Sequence, residues 1–133
     1  MIYLSVEDLL QIAERIAGRV EVRDHGLLAS ACARPRSTVF GKDAYPTLGD
    51  KCAALIHSLS CDHALVDGNK RLALGSAIAF LGMNGARLTM TNDEAYDFII
   101  GIVVHDLDGV RPIAENLRER TAPWHLAKRR GRP

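Results

Sequence analysis

Residues 72–86, LALGSAIAFLGMNGA, run for 15 positions without a charge, and no other feature restricts the fold of this chain so tightly. A helix that is apolar almost all round, as 72–81 would be, has no face to give to water and must sit in the middle of its fold. The run is short of the ~18 or more apolar residues that cross a bilayer, so other protein elements have to cover it. A chain of 133 residues is one domain's worth, enough to supply that cover from a single core.

The rest of the sequence offers helices for the purpose. SVEDLLQIAERIAG has Ser5 as N-cap, Asp8 three positions on as a variant capping box, an apolar face of Val6, Leu9, Leu10, Ala13, Ile16 and Ala17, and Gly18 as a stop. A short helix is expected over 26–33. Leu48, Cys52, Leu55, Ile56 and Leu59 continue at helical spacing after Thr47, and TNDEAYDFIIGIVV opens on a Thr91/Glu94 box with Tyr96, Ile99, Ile100 and Val103 on one face. Asp108 is placed to cap a last helix with Val110, Ile113, Ala114 and Leu117 inside. ARLTM reads as a short extended link. The long stretch RPRSTVFGKDAYPTLG lacks helical period and reads as a loop or irregular hairpin. The expectation is an all-α bundle of about six helices, with a domain over 1–122 and a disordered basic tail over 123–133.

Charge bounds the partners. Four of the 17 Lys and Arg residues (Lys128, Arg129, Arg130, Arg132) lie in that tail, which leaves 13 basic against 16 acidic side chains and a body of net charge −3. Clustered cations are what hold nucleic acid without sequence preference, so no direct nucleic-acid binding is expected, and the tail is read as solvated. Three cysteines fit no disulfide framework, the opening MIYLSVEDLL lacks the cationic start of a secretory signal, and nothing is long enough to span a membrane. A cytoplasmic protein is expected.

Directly ahead of the apolar run stands CDHALVDGNKR. Asp67-Gly68 is a turn signal and Asn69 is placed to begin the buried helix, so the turn lies over a helix N-terminus, where free N–H groups and the helix dipole favour phosphate oxygens. Lys70 and Arg71 would lie in the first helical turn, which disfavours cations unless an anion sits among them. Asp67 is a hard oxygen ligand of the kind Mg²⁺ takes beside phosphates, and His63 can serve as general base for a hydroxyl. The same residues also suit a plain connection between helices, with Asp67 or Asn69 as cap and His63 bonded to a carbonyl. A zinc site from His57, Cys61, His63 and Asp67 is a further reading, although its spacing matches no standard module.

The string resembles the signature of the Fic/Doc superfamily, His-x-Phe-x-(Asp/Glu)-Gly-Asn-Gly-Arg-x-x-Arg, and more closely its Doc branch, His-x-Phe-x-Asp-(Ala/Gly)-Asn-Lys-Arg. His63, Asp67, Gly68, Asn69, Lys70 and Arg71 match the Doc form; YLSVEDLLQI and AIAFLGMNG are similar to other Doc stretches. Leu65 stands where the family has Phe, and Lys70 and Leu74 stand where the nucleotide-transferring Fic enzymes have Gly and a second Arg. The resemblance implies a single all-α domain, a motif loop before a central helix, and a flap over 36–45 that pairs with an extended target segment through Thr38, Val39 and Phe40. It further implies a toxin of a prokaryotic toxin–antitoxin pair that transfers the γ-phosphoryl group of ATP to a hydroxyl of a translation factor, a threonine of elongation factor Tu in the family, and so stops translation. His63 would be the base, Asp67 would hold Mg²⁺, and Gly68, Asn69, Lys70 and Arg71 would bind phosphates. AMP transfer, or a catalytically silent module that binds an antitoxin or nucleotide, are the alternatives. The inhibitory motif (Ser/Thr)-x-x-x-Glu-(Gly/Asn) of many Fic proteins is absent, because Arg111 stands four before Glu115-Asn116. A separate antitoxin chain is therefore the expected inhibitor.

Overall fold

Paired caps start three of the helices in a computed structural model that describes residues 1–124. Ser5 and Asp8 begin α1 (Val6–Ala17), Thr47 and Asp50 begin α3 (Leu48–Cys61), and Thr91 and Glu94 begin α5 (Asn92–Val103). In each the cap hydroxyl accepts from the third helical N–H while the acid accepts from the cap's own N–H, so two otherwise orphaned donors are satisfied. Asp24 caps α2 (His25–Ala33); α4 (Asn69–Met83) and α6 (Val110–Glu119) complete six α-helices among the described residues. The expected all-α bundle is what forms.

Two small antiparallel strand pairs join it. β1 (Thr38–Val39) and β2 (Lys42–Asp43) form a hairpin within the irregular stretch, turning on Phe40 and Gly41, both at positive φ (52° and 79°) as a two-residue hairpin turn requires. β3 (Ala86–Leu88), the expected extended link, pairs with β4 (Thr121–Pro123), and the Trp124 N–H then donates to the Gly85 carbonyl. Of the tail expected from 123 on, Pro123 and Trp124 thus meet this second pair; 125–133 lie outside the described residues.

Burial corrects one expectation. α4 buries Leu72, Ala73, Ser76, Ala77, Phe80 and Leu81 against α3 and α1, but Ile78 is 51% exposed, so one side of it stays open. The helix covered all round is α3, every residue of which from 51 to 56 is buried. Small side chains (Ala53, Ala54, Ser58, Ser60) let its neighbours close on every side, a fit that hydrophobicity alone does not signal. α1 reaches α4 over Gly75, where an added Cβ would lie 2.5 Å from Ile16 Cδ1 and 3.0 Å from Ile12 Cγ2. Asp108 is a second correction. The N-cap of α6 is Gly109, without a side-chain cap, and Asp108 Oδ1 instead lies 3.7 Å from His105 Nδ1.

The hairpin is tied to α3 at its base. Lys51, only 2% exposed, donates from Nζ to the Pro35 carbonyl and to Asp43 Oδ2, both at 3.3 Å. Arg34 donates from Nε to the Tyr45 hydroxyl (3.0 Å) and from Nη1 to Ser58 Oγ (3.0 Å) and His57 Nδ1 (2.8 Å). The tip is free, with Phe40 100% exposed.

Candidate active site

α3 ends at Cys61 and α4 begins at Asn69; the seven residues between them and the first turn of α4 carry the polar motif. A braced strand of chain fixes their course. Val22 pairs with Leu65, the Arg23 and Asp24 N–H groups both donate to the Ala64 carbonyl (2.8 and 3.0 Å), and the Val66 N–H donates to the Glu21 carbonyl (2.9 Å). Leu65 itself is 3% exposed and belongs to the core, so it seats the loop where the family has phenylalanine.

Asn69 closes the loop from below. Its Oδ1 accepts from the Leu65 N–H and its Nδ2 donates to the Leu65 carbonyl, both at 2.9 Å. The side chain of Asn69, a residue that the resemblance gives to phosphate, thus bonds loop backbone, and as the first residue of α4 Asn69 also brings its own N–H to the helix end. Gly68 precedes it as N-cap at φ 90°, a conformation glycine adopts without strain, and no side chain caps the helix. The opening amides of α4 are thus left for something else. Asp67 does not cap either, since its Oδ1 accepts from the adjacent Gly68 N–H (2.8 Å).

Lys70 and Arg71 follow in the first turn, exposed, with no acidic residue in that turn. Among the described residues no hydrogen bond or ion pair engages the side chains of Lys70, Arg71 or His63. Two unpaired cations beside uncapped amides form a positive mouth at the end of a helix where positive charge is disfavoured. An anion resolves both problems at once, which is the fit test for a nucleotide's phosphates. Asp67 adds a carboxylate at the rim, and one carboxylate is the usual protein share of a Mg²⁺ ion held mainly by phosphates and water.

The mouth opens into a cleft of about 910 Å³. His63, Asp67, Gly68, Asn69, Lys70 and Arg71 all line it, so the six motif residues meet in one place. Leu74, Tyr96, Ile99 and Val103 line it as well, with Arg23, Ser60 and Asn92. Of the α5 face that the sequence marks with Tyr96, Ile99, Ile100 and Val103, three residues, Tyr96, Ile99 and Val103, line the cleft, and Ile99 is at the same time part of the core. Arg23 and Ser60 carried no signal in the sequence, because neither belongs to the motif and only the fold brings them to it.

His57 and Cys61 form no metal site with this group. Among the described residues no three His, Cys, Asp or Glu side chains gather around one point, and His57 Nδ1 is engaged by Arg34. Burial, and next the Arg34 charge, hold His57 below its ordinary pKa, so it accepts from Arg34 as a neutral ring. Burial pushes the thiol of Cys52 up to about 12 and that of the half-buried Cys32 to about 11, which keeps both in the unreactive thiol form.

The family comparison agrees with the geometry. Residues 3–81, from the opening strand of chain through most of α4, match the model of the Fic/DOC family. The protein described as "Toxin Doc" from Mycolicibacterium smegmatis is 48% identical over 109 residues, covering 80% of this chain and 84% of its own.

Proposed function

This chain belongs to the Fic/DOC family, and on that premise we propose that it is the toxin of a toxin–antitoxin pair, an enzyme that transfers the γ-phosphoryl group of ATP to a protein hydroxyl. The substrate proposed is elongation factor Tu, the inhibitor a separate antitoxin chain, and the place of action the cytoplasm. The observation that carries the reading is a pair of cations, Lys70 and Arg71, that no side chain among the described residues engages, beside the uncapped first turn of α4 in the cleft that His63 also lines.

Lys70 and Leu74 decide which phosphate faces the hydroxyl. A triphosphate bound as in the nucleotide-transferring Fic enzymes would meet a bulky cation near its middle and an apolar side chain at its end, since Lys70 and Leu74 both line the cleft. The opposite orientation suits these residues better, with the γ-phosphate at the α4 N-terminus and Lys70. A ring nitrogen of His63 takes the proton of the substrate hydroxyl as its oxygen bonds to the γ-phosphorus; the bond from that phosphorus to the bridging oxygen breaks, and ADP leaves. Asp67 would hold Mg²⁺, which neutralises phosphate charge when bound. Phosphoryl transfer is mostly positioning and charge stabilisation, and Gly68, Lys70, Arg71 and the Asn69 N–H supply both.

Incubation of elongation factor Tu with the protein and γ-labelled Mg-ATP tests the reading. Label should move to the factor with wild-type protein and not with His63→Ala, whose circular dichroism should stay native because His63 is exposed and packs against nothing essential. Wild-type transfer by the folded variant would remove His63 from the mechanism.

A further inference from the structure

We propose that Arg23 is a positioning residue for His63, an inference that rests on the reading of His63 as the base. His63 has φ 54°, a left-handed backbone that residues with a Cβ enter only at a cost and keep only when their surroundings hold them there. What holds it is a fork. Arg23 donates from Nε to the His63 carbonyl at 2.7 Å and from Nη2 to the Asp62 carbonyl at 3.0 Å. Asp62 is the C-cap of α3, so the guanidinium also sits at a helix end that favours cations and leaves carbonyls unsatisfied.

The fork is itself anchored. The Arg23 N–H donates to the Ala64 carbonyl, so the residue grips three consecutive carbonyls of the loop, those of 62, 63 and 64. With the two peptide planes around His63 fixed, the direction of its Cα–Cβ bond is fixed as well, and with it the reach of the ring into the cleft. Arg23 lines that cleft too, yet two of its nitrogens are spent on carbonyls, so its action on the reaction passes through the His63 backbone. Only a planar fork meets both carbonyls from one side chain; a lysine ammonium on a flexible stem reaches one at a time.

Arg23→Ala and Arg23→Lys, each compared with wild type in steady-state phosphoryl transfer and by NMR of the His63 backbone, test this. Arg23→Ala should lower kcat by roughly ten- to a hundredfold, the scale of a misplaced catalytic group, with KM for ATP unchanged. Arg23→Lys should recover part of the loss, and the His63 backbone shifts should leave the left-handed range in the alanine variant while other amides stay put. An unchanged kcat, a fall in kcat matched by a rise in KM, or shift changes spread over the whole domain would each overturn the proposal. If wild type transfers no phosphate the reaction reading fails by itself, and the His63 shifts alone then decide whether Arg23 sets its backbone.

Discussion

Replacing Asn69 by alanine should separate loop support from phosphate binding. The side chain makes two 2.9 Å bonds to the N–H and carbonyl of Leu65, whose residue is 3% exposed. Alanine leaves both backbone groups without partners in a place water reaches poorly, and such groups cost about 1–3 kcal/mol each. Allowing for local relaxation, the two together should cost about 2–4 kcal/mol. With a urea dependence of about 2 kcal/mol per M for a domain of this size, the unfolding midpoint should fall by about 1–2 M. Asn69→Asp keeps the acceptor for the Leu65 N–H and places negative charge at a helix N-terminus, where it is favoured, so about half of the loss should return. Urea titration followed by circular dichroism reads all three proteins. A midpoint for Asn69→Ala within error of wild type, together with lost nucleotide binding, would refute the reasoning and return the side chain to the phosphates.

Three further outcomes are expected. Asp67→Asn should weaken ATP binding in the presence of Mg²⁺ and leave it unchanged without the metal, because the amide keeps the bond to the Gly68 N–H but loses the charge; calorimetric titration with and without Mg²⁺ checks this, and an unaltered metal dependence would reduce Asp67 to a turn residue. His57 has a folded-state pKa below its unfolded value near 6.5, so its contribution to stability is present above about pH 6.5 and is lost as pH falls through the folded value. Thermal melts against pH should show that acid loss in wild type and a flatter slope in His57→Asn, and equal slopes would exclude His57 as its source. Expression without a partner chain should arrest growth with no activating mutation, since the inhibitory Glu motif is absent; harmless expression of a folded product would count against a toxin.

Much of this molecule is written locally. The caps at Ser5 and Thr91, the apolar face of α6 and the meeting of His63, Asp67, Gly68, Lys70 and Arg71 at one helix end all follow from spacing over a few residues. What escapes the sequence is decided across distance. β4 contains a proline and only three residues, and becomes a strand because β3 offers it an edge. The open side of α4 and the covered sides of α3 depend on which neighbours arrive, which hydrophobicity does not encode. Arg23 lies 40 positions from His63, and nothing near it in the chain distinguishes it from a surface arginine. Asn69 was legible as a motif residue but not as a clamp, since its two bonds depend on the loop turning back over the helix.

The central claim concerns the group transferred, and intact-protein mass spectrometry of elongation factor Tu after reaction with Mg-ATP tests it most directly. The cleft residues Lys70 and Leu74 predict a mass increase of one phosphate, with label arriving from the γ-position of ATP and none from the α-position. An increase of one AMP, with label from the α-position, would contradict the account and show that the nucleotide binds the other way round.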